Sequence, residues 1–154
     1  MKTTQLGRTG EQVSALCLGV MYYGTSVPEA DARNLMDMYV DAGGAFLDTA
    51  NVYVRWLEGF SGGESESLLG RWMKDRKNRD ALFFATKMGA PYGDIPRSLE
   101  AKFIEQECEK SLKRLGIETI DLYYAHTDDR GTPQDETMEA FDRLVKAGKV
   151  RYLG

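Results

Sequence analysis

One stretch of this sequence decides the fold: Ala45-Phe46-Leu47-Asp48-Thr49-Ala50-Asn51-Val52-Tyr53. Its apolar run follows two glycines and meets a turn signal at Asn51, which predicts a buried strand that ends at a turn. Asp48 then lies at the carboxyl end of the strand, and Tyr53 lies on the loop beyond it. Catalytic groups collect at this end of the strands in parallel sheets, so both residues are candidates for a site.

Two later runs repeat this layout. Ala81–Lys87 ends on a lysine, and Ile120–His126 ends on the only histidine in the chain. Lys87 follows Asp48 by 39 residues, and His126 follows Lys87 by another 39. Regular delivery of ionisable groups to the ends of successive strands is typical of a closed parallel barrel, whose active site lies on the face formed by those ends.

Strand-like and helix-like segments alternate over the rest of the chain. Leu16–Val20 and Val150–Leu153 are the remaining predicted strands, and Leu6–Ser14 predicts a hairpin with Gly10 at its turn. This alternation predicts right-handed units and a parallel sheet. The predicted fold class is α/β, a (β/α)8 TIM barrel represented here by an N-terminal hairpin, about five parallel strands and four helices. We expect a single domain over residues 1–154, the N-terminal portion of such a barrel.

Four amphipathic segments separate the predicted strands, and each has an apolar stripe that we expect to face the core. The stripes are Ala32, Leu35, Met36 and Tyr39; Leu68, Leu69, Trp72 and Met73; Ala101, Ile104, Cys108, Leu112 and Leu115; and Met138, Phe141 and Val145. The spacing of Ser26 and Glu29 predicts a capping box at the first helix. Ser98 predicts a cap at the third helix, and Thr132-Pro133 predicts a cap followed by proline at the first position of the fourth.

An open doubly wound sheet is the alternative architecture. Its first strand–helix turn carries the phosphate-binding pattern G-x-G-x-x-G. The corresponding run here, Gly19 to Gly24, reads Gly-Val-Met-Tyr-Tyr-Gly. The barrel therefore fits the sequence better.

The composition is that of an ordinary soluble globular protein, with 42% hydrophobic residues, 29% charged residues and a net charge of −4. No basic stripe stands out, so nucleic acid is not an expected partner. No signal peptide is recognisable, and no run reaches the roughly 18 apolar residues of a membrane span. Cys17 and Cys108 lack metal-site spacing and predict reduced, buried thiols in a cytoplasmic protein. With one histidine and no cysteine cluster, we expect no metal site.

Four ionisable residues form the predicted site: Asp48, Tyr53, Lys87 and His126. A free tyrosine has a pKa of about 10, and a nearby lysine ammonium favours the phenolate and lowers that pKa. Asp48 would hold the lysine charged and in place, and His126 could hydrogen-bond a substrate oxygen. Such a set suits proton donation to a carbonyl while a hydride arrives from elsewhere.

Each of these residues also has a purely structural explanation when it is taken singly, for example as a strand-end cap or a surface lysine. Their joint placement at matching strand ends favours chemistry instead. Two aromatic residues on the long loop after the organising strand, Trp56 and Phe60, fit a substrate wall and loop packing equally well. Trp72 and Met73 are predicted core residues.

The chain resembles the aldo-keto reductase family, in particular members related to bacterial reductases and potassium-channel β subunits. The resemblance covers nearly the whole chain and rests on residues 46–53, 63–70, 85–87, 111–121, 126 and 147–154. It implies NADP(H)-dependent reduction of aldehydes or ketones on a (β/α)8 barrel. The implied proton donor is Tyr53, with Lys87, Asp48 and His126 completing the tetrad. The implied contacts to the nicotinamide end of the cofactor are Gly19, Val20, Met21 and Asp48.

The sequence departs from the family pattern in two places. After His126 it has Thr127-Asp128-Asp129, where many members place an aromatic residue or proline before the acid. A barrel of this type also needs about 250 residues. The Ser-Asn expected after the fifth strand, the later strands and the basic loop that grips the 2′-phosphate are not in this sequence. We therefore expect most of the cofactor site to lie outside these residues.

Three classes of function remain open from the sequence. The first is an NADP(H)-dependent reductase acting on a small-molecule carbonyl compound. The second is a binding module, since channel-associated relatives use this fold in a partner-facing role. The third is an inactive half-barrel, stable only when it pairs with another copy or a complementary chain, so a homo-oligomer is a possible state.

Overall fold

A computed structural model of the chain describes residues 1–91 and 93–154. In chain order its elements are β1 (Thr3–Gln5), β2 (Gln12–Ser14), β3 (Leu18–Gly19), α1 (Glu29–Asp41), β4 (Phe46–Asp48), α2 (Glu64–Arg76), a 3-10 turn (Arg79–Ala81), β5 (Phe83–Met88), α3 (Ala101–Leu115), β6 (Ile120–Ala125), α4 (Gln134–Lys146) and β7 (Val150–Leu153). Strands β1 and β2 pair antiparallel as the predicted hairpin.

The five later strands form one parallel sheet in the order β3-β4-β5-β6-β7. A helix separates each strand from the next along the chain. The prediction of an α/β fold with five parallel strands and four helices is therefore confirmed, and the arrangement is that of part of a (β/α)8 barrel. In this order, β3 and β7 each have a single neighbour among the described strands.

Four of the predicted strands have different ends in the structure. The predicted strand at Leu16–Val20 is observed at Leu18–Gly19, and the one predicted at Ala45–Ala50 is observed at Phe46–Asp48. The strand predicted at Ala81–Lys87 is observed at Phe83–Met88, and the one predicted at Ile120–His126 is observed at Ile120–Ala125. Strand β3 begins only at Leu18 because the Leu16 carbonyl binds side chains rather than a neighbouring strand. It accepts hydrogen bonds from the hydroxyls of Ser14 at 2.9 Å and Tyr39 at 2.7 Å. Ala81 belongs to the 3-10 turn that leads into β5.

The two faces of the sheet bury different partners. Buried residues of all four helices belong to one large apolar cluster, together with Leu47 and Phe84 of the sheet. The opposite face carries Phe83, Ala85 and Leu122, which cluster with Val13 of the hairpin. We call this second side the hairpin face. Because side chains alternate along a strand, Asp48, Lys87 and His126 follow this face toward the carboxyl ends of their strands.

The predicted core stripes of α2 and α3 are confirmed. Leu68, Leu69, Trp72 and Met73 are buried, and Ile104, Cys108, Leu112 and Leu115 are buried on α3 with Ala101 packed against them. The prediction of two buried thiols is half wrong, because Cys17 is exposed while Cys108 is buried. Cys17 precedes β3, at the edge of the sheet, where no neighbouring strand covers it among the described residues.

The predicted inner faces of α1 and α4 are partly wrong. Leu35 is 43% exposed, and on α4 Met138 is 57% and Val145 is 36% exposed. The face that α4 buries carries Thr137, Ala140, Phe141 and Leu144. The Thr137 hydroxyl faces inward because it donates to the Leu99 carbonyl at 3.0 Å. The spacing of apolar residues along the helix does not predict this contact.

The predicted caps of three helices are also wrong in detail. The helices begin after Pro28, Glu100 and Pro133, and none of these residues makes a side-chain capping bond. The Glu29 carboxylate binds Arg33 and Arg71 instead of closing a capping box. The hydroxyl of Ser98 accepts from the Glu100 N–H at 3.1 Å, two residues along.

The hairpin is tied to the last strand through one carboxylate. Glu11 lies between β1 and β2 and accepts hydrogen bonds from the Arg151 guanidinium and from the Tyr152 hydroxyl, the latter at 2.9 Å. These contacts are long-range, because Arg151 and Tyr152 follow Glu11 by 140 and 141 residues in the sequence. The hairpin is thereby attached both through Val13 in the apolar cluster and through a polar contact with β7.

A second carboxylate joins three strands at the amino-terminal end of the sheet. Asp121 of β6 is 2% exposed and accepts from the Phe84 N–H of β5 at 2.9 Å. It also forms ion pairs with Arg79 at 2.8 Å and with Arg151 of β7 at 2.9 Å. A buried carboxylate with this many partners satisfies a backbone donor that the strand ladder leaves free.

Asp121→Ala should lower the free energy of unfolding by about 1–3 kcal/mol, the cost of leaving the buried Phe84 N–H without an acceptor. Urea unfolding followed by circular dichroism, at one protein concentration, measures the change. Asp128→Ala is the matched control, because Asp128 pairs with Arg130 on the surface and should change stability by about 0.5 kcal/mol or less. Equal losses in both variants would contradict the role given to Asp121.

Candidate functional site

The Lys87 ammonium is the centre of the site at the carboxyl ends of the strands. It lies 2.6 Å from Asp48 Oδ2, 2.6 Å from the Tyr53 hydroxyl and 2.6 Å from the Thr49 carbonyl oxygen. An ammonium has three donors, so these three oxygens use all of them. The Tyr53 hydroxyl also donates to Asp48 Oδ2 at 3.3 Å. The structure therefore brings three of the four predicted residues into direct contact.

Strand register explains this meeting. Asp48 is paired with Gly19 of β3 and Ala85 of β5, and Lys87 is paired with Tyr124 of β6. Lys87 lies two residues beyond Ala85, on the same face of the strand. Its long stem then reaches across to Asp48 and to the loop that carries Tyr53. Asp48, Lys87 and Tyr53 meet because the parallel strands β4 and β5 end at about the same height in the sheet.

His126 completes the group from the end of β6. Its ring stands edge-on to the Tyr53 ring, with centroids 5.8 Å apart and an interplanar angle of 81°. Its backbone N–H donates to the Met88 carbonyl at 2.7 Å, which fixes its place beside β5. Burial, and next the Lys87 charge, lower the pKa of His126 below its ordinary value. The imidazole is therefore neutral at neutral pH, and its buried Nδ1 has no hydrogen-bond partner among the described residues.

The pKa of Tyr53 differs in direction from the sequence prediction. Burial of the phenol is the largest effect and raises the pKa; Lys87 lowers it as predicted, but Asp48 raises it as well, so the pKa of Tyr53 lies above its ordinary value of 10.0. The prediction weighed the lysine charge and left out desolvation, which disfavours the phenolate. Tyr53 is therefore a protonated phenol at neutral pH, with a proton available to donate.

The residues predicted to contact a cofactor lie around the end of β3. Gly19 is exposed, and a Cβ added there would meet nothing within 4 Å. Met21 is half-buried. Val20 is 0% exposed; its N–H donates to the Asp48 carbonyl at 3.0 Å, and its own carbonyl accepts from Ser65 at 2.7 Å. Gly19 and Met21 thus have surface for a ligand, while Val20 supports them from beneath.

The two aromatic residues of the loop at 51–63 differ in burial. Trp56 is 53% exposed and belongs to neither apolar cluster. Phe60 is half-buried. The indole of Trp56 is therefore open to a ligand that approaches the loop, and its role as a substrate wall stays a prediction.

The sequence analysis missed a set of buried polar residues on the helix side of the site. Thr49 and Ser65 share a hydrogen bond of 2.9 Å, Glu66 accepts from Thr86 at 2.6 Å, and the Asn51 amide donates to Glu107 at 2.7 Å. A signal was present, because Glu66 and Glu107 lie on the inward faces of their helices beside apolar residues. A carboxylate in such a position must find a buried partner.

The loops after β5 and β6 are joined beside His126. Thr127 donates to the Gly89 carbonyl at 3.1 Å, and Asp129 accepts from the Leu99 N–H at 2.8 Å and from the Thr132 hydroxyl at 2.6 Å. The run after His126 that departs from the family pattern therefore has a structural function. It ties Gly89 and Leu99, which flank the loop after β5, to the loop after β6 beside the predicted substrate side of the site.

Fold and site together define an α/β-barrel protein with a lysine–tyrosine–aspartate cluster at the carboxyl ends of its parallel strands. A sequence model of the Aldo/keto reductase family matches residues 15–154. The chain belongs to that family.

Named relatives agree with this assignment. The chain is 42% identical to the uncharacterized oxidoreductase YrpG of Bacillus subtilis, over 100% of this chain and 48% of that protein. It is 38% identical to the aldo-keto reductase yakc of Schizosaccharomyces pombe, whose name specifies NADP(+), over 90% of this chain and 40% of that protein. Norsolorinic acid reductase A of Aspergillus parasiticus is 34% identical over 94% of this chain and 39% of its own length. The chain spans about half the length of these relatives or less.

The described residues hold neither a membrane-spanning helix nor a metal-binding cluster. None of their helices is long and apolar enough to cross a membrane. They also contain no group of three or more histidine, cysteine, aspartate and glutamate side chains that could hold a metal ion.

Asp129→Asn should lower stability at neutral pH, with a loss that shrinks as the pH falls from about 4 to about 2. Hydrogen bonds from Thr132, Leu99 and Gly131 lower the pKa of Asp129 from 3.8 to about 2 in the folded chain. A lowered carboxyl pKa stabilises the fold above the unfolded pKa, and this stabilisation disappears as the pH falls through the folded pKa.

Thermal unfolding of parent and variant at a series of pH values measures this dependence. Asp128→Asn is the control, because the neighbouring Asp128 pairs only with the exposed Arg130 among the described residues. A difference between Asp129→Asn and the parent that stays constant down to pH 2 would contradict the linkage.

Proposed function

We propose that this chain carries the catalytic tetrad of an NADP(H)-dependent oxidoreductase that reduces aldehydes or ketones to alcohols. The observation that carries the proposal is the single Lys87 ammonium held 2.6 Å from both Asp48 Oδ2 and the Tyr53 hydroxyl. Membership of the aldo/keto reductase family and the NADP(+) in the name of one relative support it. The partner is a small carbonyl compound.

Each member of the tetrad has a distinct part in this reaction. Tyr53, protonated at neutral pH, gives its proton to the carbonyl oxygen. Lys87 donates a hydrogen bond to the phenol oxygen and stabilises the negative charge that develops there as the proton leaves. Asp48 pairs with the ammonium and holds it in place. Neutral His126 stands beside the Tyr53 ring and can hydrogen-bond the substrate oxygen, directing it toward the phenol.

The residues around β3 fit the nicotinamide end of the dinucleotide. A flat ring needs an open surface, and Gly19 provides one because its position has no side chain and nothing lies within 4 Å of a Cβ built there. Gly19 pairs with Asp48 in register, which puts that surface beside the tetrad. Gly19, Met21 and Asp48 would hold this end, with Val20 supporting them. When bound, the cofactor supplies the hydride for the carbonyl carbon.

Tyr53→Phe tests the assignment of the proton donor. The change removes the proton but leaves the ring, so carbonyl reduction should fall by about 10²–10⁴-fold while NADPH binding changes little. Both measurements use the full-length protein. The rate is followed as NADPH oxidation with a reactive aldehyde, and binding is followed as quenching of intrinsic fluorescence by NADPH. Tyr22→Phe, an exposed tyrosine, is the control. Unchanged turnover in Tyr53→Phe would remove Tyr53 from this role.

A polypeptide limited to residues 1–154 should bind NADPH weakly, fail to turn it over and self-associate. Holding a hydride donor at fixed geometry contributes up to about 7–11 kcal/mol, and few of the described residues are placed to grip a dinucleotide. Strands β3 and β7 also lack a second neighbour in the described sheet, and Met138 and Leu35 are exposed. Unpaired edges and apolar surface favour association.

Light scattering and an NADPH assay on this 17.3 kDa polypeptide test the expectation. A monodisperse monomer with ordinary turnover would show that these residues hold the cofactor unaided. An inactive but specific oligomer would favour the binding-module or half-barrel classes of function for this stretch.

A further inference from the structure

A buried carboxylate lies behind the site without touching it. Glu107 of α3 is 1% exposed and accepts a hydrogen bond of 2.7 Å from the side-chain amide of Asn51. Lys110, one turn along the helix, binds its other oxygen at 2.7 Å. Asn51 lies 1% exposed on the loop after β4, two residues before Tyr53. The pair therefore connects α3 to the segment that carries the proposed proton donor.

The amide of Asn51 depends on Glu107 for its side-chain hydrogen bonding. A carboxylate only accepts, so the contacting amide atom must be the nitrogen. The other amide atom, Oδ1, is buried with no partner within residues 1–91 and 93–154. Asn51 is also fixed through its backbone, since its N–H donates to the Lys87 carbonyl at 3.1 Å. This residue thus contacts both the strand of Lys87 and the buried acid on α3.

The segment that follows is strained. Val54 has a φ of 63°, in the left-handed region, where a β-branched residue is rarely found. Its side chain is 0% exposed, so burial keeps it in this conformation. Strained backbone persists only where the surroundings determine it from several sides. Tyr53 lies between strained Val54 on one side and anchored Asn51 on the other.

We propose that Glu107 is a positioning residue that acts through Asn51 to hold the Tyr53 phenol against Lys87. It touches neither the reacting atoms nor the ammonium. Releasing Asn51 would leave the strained turn free to relax, and the phenol would move away from its place 2.6 Å from the ammonium. This inference rests on the proposed function for its effect on catalysis. Its effect on the geometry of Tyr53 does not depend on that function.

The alternative is that Glu107 only satisfies a buried amide and contributes to stability. Four variants separate the two roles. Glu107→Ala and Asn51→Ala each remove the hydrogen bond between the two side chains, and the double variant removes that same bond, so it should add no further effect. Glu107→Gln keeps an oxygen that can accept from Asn51. Glu105→Ala is the matched control, because Glu105 lies on the same helix but forms a surface pair with Arg143.

The first measurement is the NMR signal of Tyr53 in protein with ring-labelled tyrosine, identified by its loss in Tyr53→Phe. We expect the signal to shift or broaden in Glu107→Ala and in Asn51→Ala, and to remain as in the parent in Glu107→Gln and Glu105→Ala. This readout needs neither cofactor nor turnover. It therefore decides the inference even if the parent protein proves not to be a carbonyl reductase.

The second measurement is steady-state kinetics of the parent protein and the variants. A displacement of about 1 Å can cost on the order of 100-fold in rate, so we expect kcat to fall by at least about tenfold in both alanine variants. KM and NADPH affinity should stay within about twofold. The double variant should be no slower than either single variant, and Glu107→Gln should recover most of the rate.

Variants that fold, melt at a lower temperature and keep both the parent Tyr53 signal and the parent kcat would overturn the proposal and leave Glu107 a purely structural residue. If Glu107→Ala does not fold, Asn51→Ala decides, because it removes the same hydrogen bond and leaves the pair of Glu107 with Lys110 in place.

Discussion

The alternation of side chains across the parallel sheet is the constraint on which the rest of the structure depends. On one face, residues such as Leu47 and Phe84 share one apolar cluster with buried residues of all four helices. Because the period of a strand is two, the neighbours of these residues must project to the hairpin face. Asp48 and Lys87 are such neighbours, and they project from the strand ends. The same periodicity that builds the core therefore fixes where the charged groups can meet.

Buried carboxylates are the second organising element. Asp121, Glu66 and Glu107 are each at most 2% exposed, and each accepts hydrogen bonds from two or more separate groups. A buried charge is costly unless it is paired and hydrogen-bonded, so each of these acids specifies its neighbours narrowly. Asp121 does this at the amino-terminal end of the sheet, and the two glutamates do it behind the strand ends that carry Lys87 and Tyr53. Apolar packing fixes the layers of the fold, and these acids fix its details.

The fold class and the meeting of Asp48, Lys87 and His126 at one end of the sheet could be predicted from the sequence because both follow from period and order. Short apolar runs that end on Asp48, Lys87 and His126 require only the rule of parallel strands. The predictions were wrong where a residue distant in the sequence determines the orientation or the pKa of a side chain. The outer position of Met138 on α4 follows from the bond that Thr137 makes to Leu99, and the direction of the Tyr53 pKa follows from burial. The support from Glu107 depends on a contact across 56 residues, which no local pattern contains.

The attachment of the hairpin to β7 has a consequence for the order in which the chain folds. Glu11 meets Arg151 and Tyr152 across 140 and 141 residues, so this contact closes nearly the longest loop available to the chain. Closing a loop costs entropy that grows with its length, whereas each strand–helix–strand unit is assembled from residues near in sequence. Contacts of high sequence separation slow folding. The hairpin residues thus wait for β7, and the hairpin, which pairs as a separate two-stranded sheet, docks on the five-stranded sheet after the strands of that sheet have paired.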